Sequence, residues 1–294
     1  MITSRHAPPV RPGHPGRAPE PARGRRHPAR GLGFGAILAA LVIWSAIGTG
    51  ANPGLLVENA ARQRTGDFLG GFTSPDLSGA HLAEVSSAML STLQISLVAL
   101  VIGVLIAIPL TPFATSTLMA STRTPGLSLA RRALAGVPYA VARNLLNLMR
   151  AIPDLIWALI FVTAVGLGPF AGALAIGVHS GGLLGKLWAE QIEAVEEGPL
   201  DAVRLLGVGR FGLIALVLWP LARRNVLSLT LYQWECNLRA ATIVGFVGAG
   251  GIGQQLDVSI RLFQYPQTAT LILALLVMVV AADALSALVR RAAR

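Results

Sequence analysis

An all-α integral membrane protein, a bundle of six spans with both termini cytoplasmic, is the fold class predicted by three observations. Apolar residues form 53% of the 294-residue chain and charged residues only 13%, with a mean hydropathy of +0.63; soluble domains carry about 25% charged residues. The apolar residues lie in continuous runs rather than in the one-sided stripe of a surface helix. Lys and Arg gather in alternate connections, 20 of 24 in those that an inside N-terminus places in the cytoplasm. Six spans of about 20 residues fit this length with room for loops.

Residues 1–30 hold seven Arg against the single Glu20 and seven Pro, with few large apolar side chains, so they read as a disordered basic tail. That tail supplies most of the formal charge of +10. No aromatic platform or recognition motif accompanies the Arg, which argues against nucleic acid; contact with anionic lipid is the alternative role for the tail. The first span is 31–49, longer than a signal-peptide core and without a convincing cleavage site, so it is read as retained. A polar outer loop follows, closing a first segment at residue 87.

The second span is 91–110, with Gln94 as polar packing glue, and 111–153 is a cytoplasmic loop holding Arg123, Arg131, Arg132, Arg143 and Arg150. Spans three and four, 153–167 and 170–188, make a hairpin turning at Gly166-Leu167-Gly168-Pro169. Residues 190–220 return to the cytoplasm. There Gly198-Pro199 breaks one helix and starts a short one, 200–206, which Gly207 ends. Its apolar side, Leu200, Val203 and Leu206, is free either to enter a partner's groove or to serve as a plain connector. The fifth and sixth spans are 225–246 and 268–289. The outer loops hold only Arg62, Arg64 and Arg261.

Charges inside a span cost about 2.5–3.5 kcal/mol each on insertion scales, so Glu235 and Arg239 need compensation. At i and i+4 they share a helix face and can pair as a packing element; alternatively Arg239 faces a pathway, where a guanidinium binds oxyanions bidentately. His179 in span four has the same two readings, a helix-to-helix hydrogen bond or a pathway group. Gly248-Ala-Gly250-Gly251-Ile-Gly253 matches the dinucleotide fingerprint in letters but lacks the acidic residue about 20 positions on. It reads instead as a gate, or as a docking surface for a binding protein, in the outer loop. Cys236, the only cysteine, excludes an intrachain disulfide and a Cys-rich metal site. No nucleophile elbow, metal motif or P-loop occurs; the chain lacks residues for catalysis, and any ATP is bound elsewhere.

Asp201-Ala202-Val203, then three residues, Gly207, nine residues and Val217-Leu218-Trp219-Pro220 resemble the Glu-Ala-Ala loop of bacterial ABC importer permeases, with Asp for Glu, Val for the second Ala and Trp219 for Leu. The resemblance implies a MetI-like ABC permease fold over about residues 88–290, in which this loop docks into an ATPase subunit. Arg150-Ala-Ile-Pro-Asp-Leu-Ile-Trp157-Ala, Gly166-Leu-Gly-Pro-Phe-Ala-Gly172, Tyr232-Gln-Trp-Glu-Cys-Asn237-Leu-Arg239-Ala-Ala-Thr242 and Val247-Gly-Ala-Gly-Gly-Ile-Gly-Gln254 are similar to phosphonate importer permeases. The Gly-rich stretch is shared with methionine permeases, whereas the stretch with Asn237 and Arg239 is more specific. The implied partners are a cytoplasmic ATPase pair that binds ATP and Mg²⁺, an external substrate-binding protein and a second permease copy in the bacterial cytoplasmic membrane. Other cargo (phosphite, phosphate or methionine), an ion-coupled transporter relaying protons through Glu235, His179 and Arg239, and a membrane enzyme are the competing readings.

Overall fold

A computed structural model describes residues 28–52, 54, 58–120 and 129–292, and all their regular structure is helical. The tail before residue 28 and the segment around Arg123 lie outside the described residues. The chain divides into two units, residues 1–62 and 63–294.

The first unit holds α1, Pro28–Gly48, which coincides with the first expected span. Phe34, Leu38, Leu41, Ile43, Trp44 and Ile47 are all exposed. A helix apolar on all sides has no water-facing surface and is suited to lipid. Its apolar portion, Phe34–Gly48, is shorter than the four spanning helices of the second unit.

The second unit is built on α3, Gly79–Ala114, a 36-residue helix about 54 Å long. It follows α2, Asn59–Thr73, and a short α4, Ser116–Ala120, continues the chain. The buried side of α3 is a run of small residues, Ala88, Thr92, Ser96, Ala99, Gly103, Ala107 and Thr111, at helical spacing. The middle of this run packs on α7, Pro169–Glu193, with Ala99 and Gly103 against Gly177 and Gly181 and Thr111 Oγ1 donating to the Gly185 carbonyl at 3.4 Å; the buried face of α7 also includes Ala171, Ala175 and Gly182. Lipid gives helices no hydrophobic reason to associate, so close backbone approach through small residues supplies the attraction. A Cβ on Gly182 would stand 2.8 Å from the Leu146 carbonyl and the Arg150 amide of α5, Leu129–Ala151. Replacing Gly182 with valine is therefore expected to cost about 1–3 kcal/mol by overpacking. The drop in thermal unfolding temperature of the solubilised protein measures it. Gly136→Ala, where nothing lies within 4 Å of the added carbon, should not lower that temperature and, inside a helix, is expected to raise it slightly.

Polar side chains bind the helices at a few points. Thr92 Oγ1 accepts the Ile252 amide at 2.9 Å, and Trp234 Nε1 donates to Ser96 Oγ at 3.2 Å. Gln94, expected to serve this purpose, is exposed; the hydroxyls on either side of it face the bundle instead.

The third expected span, 153–167, takes a different form. α5 and α6, Asp154–Val165, meet at a 90° bend, because Pro153 interrupts the chain between them. Twelve residues reach only about 18 Å, short of the roughly 30 Å apolar core of a bilayer. The expected cytoplasmic loop 111–153 thus holds α5, with Ala142 and Leu146 buried against Ala114 and Ala189. Among the described residues, four helices are long and apolar enough to cross a membrane, or five with the bent pair taken as one, where six were expected. The remaining helices are α8, Glu197–Leu205, a four-residue α9, Arg210–Leu213, then α10, Trp219–Val244, α11, Gly251–Arg261, and α12, Tyr265–Ala292. A π turn at Ile214–Leu218 leads into α10, and Gly245–Ala249 follows it with a kink at Val247 and Gly248.

Candidate functional site

At one end of the bundle the 190–220 segment forms the expected short helix, begun three residues earlier than expected, because Pro199 falls within the first turn of α8, where a missing amide costs little. The orientation differs from expectation. Leu200 is fully buried among Leu118, Leu213, Val217 and Leu218, and Val203 packs against the same cluster. The apolar side thus holds α8 to its own bundle, worth about 1.5–3 kcal/mol for Leu200 alone. What α8 offers outward is Asp201 and Ala202, together with Leu205 and Leu206 at 88% and 78% exposed. Arg204 fixes the helix further, donating to Asp201 Oδ1 at 3.0 Å and to the Thr117 carbonyl of α4 at 3.2 Å. Gly207 closes it with φ +72°, a left-handed conformation that L side chains rarely take. Pro220 stands exposed in the first turn of α10.

The same end contains an unanticipated junction. Glu193 Oε1, in the last turn of α7, accepts from Arg143 Nη1 of α5 at 3.0 Å and from the Ser116 amide at 2.6 Å. Arg143 Nη1 also reaches the Ala114 carbonyl at 2.9 Å. One half-buried carboxylate thereby joins α7 to α5 and to the corner between α3 and α4, and α4 also carries the Thr117 contact of α8. Fifty residues separate Arg143 from Glu193, so no local spacing pointed to the pair.

In the middle of the bundle the expected Glu235–Arg239 pair does not form. Glu235 Oε1 instead accepts from Arg290 Nη1 of α12 at 2.8 Å, and Arg239 Nη2 lies 3.6 Å from Cys236 Sγ. Sharing a helix face allows two side chains to meet, but here Glu235 turns toward the neighbouring helix, where a second cation is within reach. Arg239 is left on the exposed side of α10, without a carboxylate at ion-pair distance among the described residues. Asn237 is 1% exposed and belongs to the packing: Ser180 Oγ donates to its Oδ1 at 2.6 Å and Gln233 Nε2 does so at 3.0 Å. His179 Nδ1 lies 3.0 Å from the Ile152 carbonyl and 3.4 Å from Asp154 Oδ1, bridging α7 to the bend between α5 and α6.

At the opposite end the glycine-rich stretch is a break in the helix followed by the start of α11, with no strand before it. The Gly168 amide donates to the Gly248 carbonyl at 3.0 Å, joining the turn before α7 to this break. Gly248, Gly250 and Gly251 all have positive φ. A Cβ on Gly253 would overlap the Thr242 carbonyl, and one on Gly251 would lie 2.6 Å from Thr92 Oγ1. The dinucleotide fingerprint thus serves here as close helix packing.

The sequence pattern described as "Binding-protein-dependent transport system inner membrane component" matches residues 124–294. The phosphite transport system permease protein PtxC of Stutzerimonas stutzeri is 43% identical over 153 residues, 52% of this chain and 56% of that protein. The phosphate-import permease protein PhnE of Mycolicibacterium smegmatis (strain ATCC 700084 / mc(2)155) is 38% identical over 178 residues, 60% of this chain and 34% of that one. The chain thus spans about half the length, or less, of these curated relatives. An inward-facing structure of the MetNI methionine ABC transporter superposes with TM-score 0.61 at 21% identity, covering 74% of this chain and all of that chain. At that identity the likeness concerns the fold.

Proposed function

The chain belongs to the family of binding-protein-dependent transport system inner membrane components, and we propose that it is the permease subunit of an ATP-driven importer for phosphonates or related phosphorus oxyanions. In this reading a cytoplasmic ATPase pair binds ATP and Mg²⁺ and turns over, while an external binding protein delivers cargo. Two permease copies enclose the pathway in the bacterial cytoplasmic membrane. Residues 31–87 contribute a first span and outer loop ahead of the transporter core at 88–290, with coupling through 190–220 and both termini inside.

The observation that carries the reading is the geometry of α8. A helix anchored by Leu200 and Arg204, with Asp201, Leu205 and Leu206 outward, can be pushed as a rigid body. The push passes to α10 through Leu218 and to α4 through Thr117. The cargo class is supported by the names of the phosphite and phosphate relatives.

Uptake of labelled 2-aminoethylphosphonate and of phosphite in cells lacking this chain tests the reading. Loss on deletion, rescue by wild type and dependence on ATP are the expected results. Uptake that collapses with a protonophore while ATP is maintained would overturn the ATP-driven reading, and rescue of methionine uptake alone would overturn the cargo.

A further inference from the structure

We infer that the groove between α3, α7 and α10, near the α8 end of the bundle, seats an acyl chain of an anionic phospholipid whose phosphate meets Arg223. This assignment rests on the membrane placement proposed above and is independent of the cargo. Two adjoining cavities make the groove, about 500 Å³ and about 240 Å³. Both are walled by Ile108 of α3, Trp188 of α7, and Trp219 and Val226 of α10, and neither lining holds a carboxylate.

The sequence of α10 gives the groove its polarity. Trp219, Arg223, Leu227 and Thr230 follow one another at intervals of four, four and three residues, so they share a helix face, and all four line the larger cavity. The Thr230 hydroxyl stays within its own helix, donating to the Val226 carbonyl at 2.7 Å. That end of the groove therefore offers apolar contact alone, while the charge lies toward the start of the helix. From Trp219 to Thr230 the helix rises about 16 Å, roughly half of the 30 Å apolar core of a bilayer. The groove thus has the reach of one leaflet, with its Trp and Arg at the level of a headgroup.

Charge selects the occupant. Arg223 and Arg224 are exposed and line an otherwise apolar cavity, and Arg223 makes no ion pair among the described residues. A guanidinium against hydrocarbon is costly, whereas a lipid phosphate at the mouth of the groove gives it two acceptor oxygens in fork geometry. A zwitterionic headgroup brings the same phosphate with a cation that two arginines repel, so an anionic lipid is favoured. The smaller cavity also touches Ile214 and Leu218, which belong to the cluster that buries Leu200. The lipid is thereby set against the packing that anchors α8.

Native mass spectrometry of the full chain, released from nanodiscs of equal phosphatidylglycerol and phosphatidylcholine, tests the site. Wild type is expected to retain phosphatidylglycerol over phosphatidylcholine by at least about tenfold, the worth of one hydrogen bond to a charged group. Arg223→Gln, alone or with Arg224→Gln, should remove most of that preference. Leu227→Trp, which fills the groove, should release both lipids. Arg291→Gln, an exposed cation in the last turn of α12 and outside both linings, should change neither. Arg223 and Leu227 are exposed, so in phosphatidylcholine alone their variants are expected to unfold at the wild-type temperature. Equal retention of the two lipids by wild type, undiminished preference in the double arginine variant, or undiminished retention in Leu227→Trp overturns the site. Displacement of phosphatidylglycerol by inorganic phosphate would make the ligand a free oxyanion. A Leu227→Trp chain that falls from dimer to monomer with its lipid retained would make the groove a contact between copies. Either result overturns the lipid. A lipid preference that holds in a chain unable to rescue phosphonate uptake supports the site and sinks the cargo reading alone.

Discussion

Gly207→Pro is expected to abolish phosphonate uptake and the coupling of ATP hydrolysis to it, with the protein still inserted at its normal level. Proline fixes φ near −65°, whereas Gly207 needs +72°. Proline also removes the amide that donates to the Arg204 carbonyl at 3.0 Å, one of the bonds that finish α8. The chain must then leave α8 in another direction, which reorients Leu205 and Leu206, the two apolar side chains most open to a partner. Nothing lies within 4 Å of a Cβ at Gly207, so the bundle itself loses no packing. Ordinary side chains in left-handed backbone cost about 1–2 kcal/mol, asparagine less. Activity should therefore fall in the order Gly, Asn, Ala, Pro. Vanadate-sensitive ATPase activity and uptake, measured together in membranes holding the complete transporter, would show it. Full coupled transport by the proline variant would mean that α8 is a passive connector.

This geometry was partly visible in the residues. Gly198-Pro199 and Gly207 bracket α8 by local chemistry alone, so its existence and its end could be read directly. Which side faces outward could not. Leu200 and Val203 are as suited to a partner's groove as to their own bundle, and only the positions of Leu118 and Leu218 decide between them. The same distinction recurs elsewhere. The long apolar helices α3, α7, α10 and α12 announce themselves by composition, whereas α5 is amphipathic and its Arg give the segment the composition of a loop. Its 90° turn into α6 has a local cause, Pro153, but an apolar run on the far side of a proline looks like a span until its length is measured. Contacts between distant residues were invisible. Glu193 with Arg143 and Glu235 with Arg290 depend on helix packing, and Trp188 with Arg223 becomes a groove wall only once α7 and α10 lie side by side.

Arg239 is where the central part of the bundle can be tested for a role in transport. Glu235 and Arg290 satisfy one another, with Glu235 only 10% exposed, and Asn237 is absorbed in the bonds with Ser180 and Gln233. That leaves Arg239 as a cation on the outer side of α10, where facing lipid would cost about 2.5–3.5 kcal/mol. A water-filled pathway between two copies removes that cost, and it gives the guanidinium an oxyanion to meet. Arg239→Gln is then expected to lower kcat/KM for phosphonate uptake by about 10- to 100-fold, the range for a lost charge-assisted hydrogen bond. Arg239→Lys should keep part of the rate, since it retains charge but not the two-pronged geometry. Glu235→Gln supplies the contrast. It strips Arg290 of its partner, so its expected signature is lower thermal stability and yield, with the KM of the surviving protein unchanged. If Arg239→Gln shows that same signature, reduced yield with normal KM, then Arg239 is a packing residue and the oxyanion must cross along another face of the bundle.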